Sequence, residues 1–275
     1  MRSILATVLT VLAVIAMVCA LPTTWASKRL ADSNGFVSMT APLAKRPDVQ
    51  KLIADELSTQ IAAAAGNKVP AAVIEPVATQ YTKSDLFPAE FAEVMRQQHD
   101  WLFNAPPAGA GDDAIMSVDL TTMANTLVHH FGLSITIPGR ITVPMSESAR
   151  SGLEAGRYQQ IGDRTKQIAI GSLIAVLVAA LAALLVARRR GIVLTSLGIG
   201  MIVAGVVSWV GGRAVKGRAA DEVSGASSAP KELARVIIDH ALADLQHWVY
   251  IVGAVGVAVI AIGMLVSITV DRSAR

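Results

Sequence analysis

Charge is scarce in this chain. Asp, Glu, Lys and Arg make up 16% of its 275 residues, against 53% hydrophobic residues. With a positive mean hydropathy, that is the balance of a membrane protein. Cysteine is scarcer still: Cys19 stands alone, which excludes an intramolecular disulfide and any cysteine-based metal centre. Val18 is not the small residue that a lipoprotein anchor requires before its cysteine, which argues against lipid attachment at Cys19. The HExxH, GxSxG and phosphate-cradling glycine motifs are missing. The interiors of the long apolar runs hold no Asp, Glu, Lys, Arg or His, the side chains through which ion-coupled transporters work, so a secondary transporter is not expected.

What the chain has is four apolar runs. The central pair, Ile168 to Ala187 and Ile192 to Val210, is joined by Arg188, Arg189 and Arg190. At about 1.5 Å per residue, each run of 19 or 20 residues crosses a hydrocarbon core of roughly 30 Å. Short loops rich in arginine stay in the cytoplasm, so this turn sets the topology of the rest. The first run, Ile4 to Leu21, is either a secretory signal, with Val18 and Ala20 tolerable at a cleavage site, or an uncleaved signal anchor. The anchor is favoured because the run is longer than a usual signal-peptide core. The last, Val249 to Val270, opens with Trp248 and Tyr250 at an expected interface and is followed by Arg272 and Arg275.

The net charge of +3 suggests a nucleic-acid partner only until it is divided by compartment. Residues 23–167 hold 13 basic and 15 acidic residues and residues 211–247 five of each. The excess therefore lies on the pieces expected inside, and no basic face is left over for phosphates. The expected map has a first transmembrane helix over 1–22, an extracytoplasmic domain with a helical stalk over 23–167, and a transmembrane hairpin over 168–210. An outer linker and amphipathic helix follow over 211–247, then a fourth span and short tail over 248–275. Both termini are expected in the cytoplasm.

Inside the long insert, Val49, Leu52, Ile53, Leu57 and Ile61 recur at helical spacing from Pro47 until Gly66-Asn67. Val69 to Tyr81, interrupted by Pro70 and Pro76, is expected to form only a turn or two of helix. Phe87, Phe91, Val94, Met95 and Leu102 mark a second amphipathic helix. Met116, Val118 and Leu120 alternate with polar residues as a short strand, which runs into a helix bearing Met123, Leu127 and Phe131. Leu133, Ile135 and Ile137 alternate again, and Ile141 and Val143 follow. The fold class expected is a membrane protein with four transmembrane α-helices and a small, mainly helical α+β extracytoplasmic domain.

The order "PLAKRPDVQKLIADELSTQI", a helix ending in "FAEVMRQQHDWLF", "MSVDL" leading into a helix, then a stalk and an apolar run ending in "ARRRG" resembles a family of actinobacterial integral membrane proteins of unassigned function. The likeness covers roughly residues 30–212 and implies a cell-envelope protein with an exported α+β domain. In that family the helix spelled "EVMRQQHDW" here carries a tryptophan and an Asn-Arg pair. This chain has Met95, Gln97-Gln98 and His99 instead, so no residue role is carried over to that helix.

For acid–base or metal chemistry the insert offers His99, Asp100, Asp119 and the pair His129-His130. Adjacent histidines on a helix point about 100° apart and do not face one metal, so no metal is expected. Asp119, at a strand-to-helix junction, is expected to cap the helix, alone or with Thr121. In the spans, Ser196, Gly200, Ala204, Ser208 and Gly212 form a small-residue row at intervals of four, with Gly253, Gly256 and Gly263 on the last run. Such rows let helix backbones approach closely, here within the bundle or against another membrane protein. No catalytic set and no cofactor site emerges. The expected role is therefore a binding, scaffolding or accessory protein of the envelope that engages a protein, lipid or wall component and can form a homo-oligomer. An envelope hydrolase using His99, Asp100 or Asp119, and a signal-receiving component, are the alternatives.

Overall fold

The computed structural model describes residues 2–66, 69–104, 117–130, 139–144, 156–222 and 228–273. They fall into two compact units. One comprises Met1–Ala31, Ile161–Lys216 and Leu242–Arg275, the other Asp32–Gln160 and Gly217–Ala241.

The first unit is built from four helices long and apolar enough to cross a membrane: α1 (Arg2–Arg29), α7 (Gln159–Val186), α8 (Arg190–Glu222) and α9 (Ser228–Ser273). Pro22 lies inside α1. In α8, 44% of the apolar window is buried, against 11% in α7 and in α9, so α8 is the central member. Large aliphatic side chains such as Leu185, Leu181, Val178 and Leu265 point outward, as lipid-facing residues do.

Glycine brings α8 and α9 together. A β-carbon on Gly191 would stand 2.6 Å from the Gly263 carbonyl oxygen, and one on Gly198 2.6 Å from that of Gly256. The partner numbers fall as those on α8 rise, so the two helices cross antiparallel with backbone against backbone at two levels seven residues apart. At Gly200 a β-carbon would meet Val14 of α1 at 2.5 Å. A smaller cluster of Ala13, Ala179, Ala183, Val193 and Leu197 closes α1, α7 and α8 on one another. Near the end of α1, Asp244 of α9 accepts a 2.8 Å hydrogen bond from Trp25 Nε1 and lies 3.3 Å from Arg29 Nε.

The second unit is mostly helical, with a two-stranded sheet. Its first helix, α2 (Ser33–Thr40), is capped by Asp32, whose carboxylate accepts from the Gly35 N–H at 2.8 Å. A 3₁₀ turn (Ala41–Lys45) leads into α3 (Pro47–Ala64), then α4 (Ala71–Thr82), α5 (Phe87–Phe103) and α6 (Thr121–His130). Strands β1 (Ser117–Asp119) and β2 (Thr142–Pro144) pair antiparallel, Val118 opposite Val143. The core is aliphatic and aromatic, with Leu43, Leu57, Ile61, Phe87, Phe91 and Met123 essentially inaccessible. The first three turns of α9 add Leu233, Val236 and Ile237 to it. The chain returns to α5 at Gly156 and Tyr158, whose N–H groups donate to the carbonyls of Trp101 and Leu102.

Four long apolar helices with a mainly helical α+β domain between the first and second is the expected fold class. Several elements differ from expectation. The helix expected to stop at Val210 continues through Gly211-Gly212 to Glu222, where residues 211–228 read as a linker. Arg213, stacked on the Trp209 ring at 3.5 Å, ties the added turn to the preceding one. The amphipathic stretch from Pro230 and the last apolar run are one continuous helix of 46 residues. Helix α4 runs for 12 residues through Pro76, held by its buried face of Ile74, Ala78 and Tyr81, whose burial offsets the hydrogen bond that Pro76 cannot make. Helix α2 was not foreseen. The strand expected over residues 133–137 lies outside the described residues, as do residues 148–155 of the helical stalk expected over 148–166, whose later part is the start of α7.

Candidate functional site

A partly open cavity of about 190 Å³ lies within the second unit. Its walls come from segments far apart in sequence. Helix α5 presents Phe91, Val94, Met95, Gln98 and Leu102, a single stripe at helical spacing, and α3 presents Leu52, Ile53 and Glu56. Val118 and Val143, opposite one another across the sheet, close a third side. The fourth is the start of α9, through Pro230, Leu233, Ala234 and Ile237 at successive helical turns. Apart from the side chains of Glu56 and Gln98, the lining is aliphatic and aromatic. Apolar cavities of about 150 Å³ stay dry and take up ring-sized guests, so this one is large enough for a small ring or a short alkyl segment.

Elsewhere in this unit a polar bridge joins three helices. The Tyr81 hydroxyl of α4 donates to Glu90 Oε2 of α5 at 2.7 Å, and the Thr126 hydroxyl of α6 donates to Glu90 Oε1 at 2.7 Å. Burial, reinforced by the neighbouring carboxylate, pushes the Tyr81 phenol well above its ordinary value, so it stays protonated and remains a donor. At the surface, Arg46 grips Asp48 through Nε and Nη2. That bond holds the Asp48 carboxyl below its usual range.

The candidate acid–base residues do not meet at this cavity. His99 is buried, stacked on Phe103 with ring centres 4.6 Å apart and tilted against Phe36 at 5.3 Å. Its Nδ1 lies 3.6 Å from Asp100 Oδ1, beyond hydrogen-bond length. Asp119 Oδ1 accepts from the Thr121 N–H at 2.9 Å at the start of α6, and the Thr121 hydroxyl accepts from the Ile141 N–H, fixing the strand that follows. None of His99, Asp100 and Asp119 lines the cavity. His129 is exposed, and the side chain of His130 is outside the described residues.

Among the small residues of the spans, Gly256 and Gly263 sit at the close crossing, whereas Gly253 has nothing within 4 Å of a β-carbon position. Ala204 and Ser208 are buried, Ser208 donating to the Ala204 carbonyl at 2.7 Å. Gly200 faces α1, and Gly212 faces Leu242 and Leu245. Gly191 and Gly198, which face α9, were missed; their interval of seven, matched by that of Gly256 and Gly263, was the available signal. Glu90 and Asp244 were also missed, because a lone carboxylate on a polar helix face carries no local mark of its distant partner.

These features define the class: a multi-pass membrane protein whose first and second spans enclose a mainly helical domain with an apolar cavity. Compared with family models, with curated proteins and with solved structures, the chain finds no match.

Proposed function

We propose that the protein is a membrane-anchored binding or accessory component of the cell envelope, with the domain between the first two spans as its working part. The observation that carries this reading is the apolar cavity shared by α3, α5, the strand pair and the start of α9. A built, partly open apolar space is the usual form of a small-ligand site. On this reading the domain lies outside the cytoplasm and both termini inside, supported by the basic turn Arg188, Arg189 and Arg190 and by the near-neutral balance of the insert. The resemblance to actinobacterial envelope proteins agrees with it. We read the domain as binding rather than catalysing, because the described residues of the cavity lining bring no nucleophile–base pair together.

Cross-linking in native membranes followed by purification of the full chain tests the proposal. The expected result is a discrete cross-linked protein, lipid or wall component that is lost in Met95→Trp, where an indole occupies the cavity. Recovery of an uncomplexed monomer alone, or complexes unchanged by Met95→Trp, overturns it.

A further inference from the structure

A second cavity lies wholly within the membrane unit, and its chemistry is different. It is a cleft of about 730 Å³ between the first half of α1 and the arginine turn that joins α7 to α8. Arg188 and Arg189 are exposed and line it, and among the described residues no acidic side chain does. Its walls are mainly apolar, with Val11 and Ile15 from α1 and Ile192 and Val193 from α8. The two helices close on one another where Val14 meets Gly200.

We propose that this cleft binds an anionic phospholipid, with its phosphate at Arg188 and Arg189 and one acyl chain along Val11, Ile15 and Ile192. Guanidinium groups pair with phosphate oxygens bidentately, and basic pockets between spans suit acidic headgroups. The lining of α1 runs from Ala6 to Ile15, about 13 Å of helix. That nearly matches the ~15 Å hydrocarbon depth of one leaflet, so charged mouth and apolar wall are spaced as headgroup and chain are. Thr7, Thr10 and Ser196 add hydroxyls to the lining, and Thr10 donates to its own helix at the Ala6 carbonyl (2.8 Å).

The test uses the purified full chain with phosphatidylglycerol or phosphatidylcholine of identical acyl chains, bound lipid being counted by native mass spectrometry. The expected preference for phosphatidylglycerol is about tenfold, falling to less than about twofold in R188Q/R189Q. Arg190, on the same turn but outside the lining, is the charge control, and R190Q should keep the preference. Val11→Trp fills the apolar wall without altering charge and should lower bound phosphatidylglycerol. Equal retention of the two lipids overturns the proposal, as does a loss in R190Q as large as in R188Q/R189Q. Displacement of the lipid by millimolar inorganic phosphate, with Val11→Trp silent, identifies a free-anion site and overturns the lipid assignment.

Discussion

At Gly198 a β-carbon would stand 2.6 Å from a backbone oxygen of α9, whereas at Phe91 a whole phenyl ring is 1% exposed among core side chains. The two positions typify their units. Helices α8 and α9 approach by having no side chain at the crossing, because lipid is as apolar as leucine and gives little drive to bury large residues. The domain gains its cohesion by taking large apolar side chains out of water. Some of its internal polar groups pair across helices, as in the Tyr81–Glu90–Thr126 bridge. In one unit, then, adding atoms should do most harm, and in the other removing them.

The largest expected effect removes atoms from the domain. Phe91→Ala should cost about 3–5 kcal/mol, read as a lower unfolding midpoint of the domain, and a change below about 1 kcal/mol breaks the comparison. Adding atoms at the crossing comes next. Gly198→Val should cost about 3 kcal/mol, since backbone on the far side cannot yield, while Gly253→Ala, with open space around it, should be neutral in the same detergent unfolding assay.

Asp244→Ala sharpens the contrast, because it removes the carboxylate shared by Trp25 and Arg29. A loss of about 1–3 kcal/mol is expected, with quenching of Trp25 fluorescence altered in parallel. The smallest effect is that of Tyr81→Phe, about 1 kcal/mol at neutral pH from the lost bond to Glu90. It also has a pH signature. The folded phenol is raised above its unfolded value near 10, so its contribution is complete below pH 10 and is lost as the pH climbs above it. Unfolding followed from pH 8 to 11 should steepen above 10 in the parent chain and flatten in Tyr81→Phe.

Much of the fold was legible from periodicity alone. The stripe Phe87, Phe91, Val94, Met95 predicted α5, and the hydrophobic runs predicted the spans, because both signals repeat within a few residues. Contacts over long sequence distance were not legible. The cavity joins α3 and α5 to Leu233 and Ile237 well over a hundred residues later, and no local pattern records that meeting. Gly211-Gly212 read as a stop because glycine is a weak helix former. In the fold Gly212 is instead where Leu245 comes close, so packing overrides propensity. Helix α2 escaped because eight residues with a central glycine carry too little periodicity, although Asp32-Ser33 was an available start signal. The setting of His99 was not legible for a plainer reason: a histidine between two phenylalanines is spelled like any other.

The paired glycines of α8 and α9 impose a lock on register. With bare backbone facing bare backbone only at Gly191–Gly263 and Gly198–Gly256, a slide of one helix along the other by a few ångströms would drive a side chain into each notch. The next alignment that again sets two glycine pairs together, Gly198 on Gly263 and Gly205 on Gly256, lies a heptad away, about 10.5 Å. A piston stroke between these two helices is therefore blocked at the scale of ordinary thermal motion.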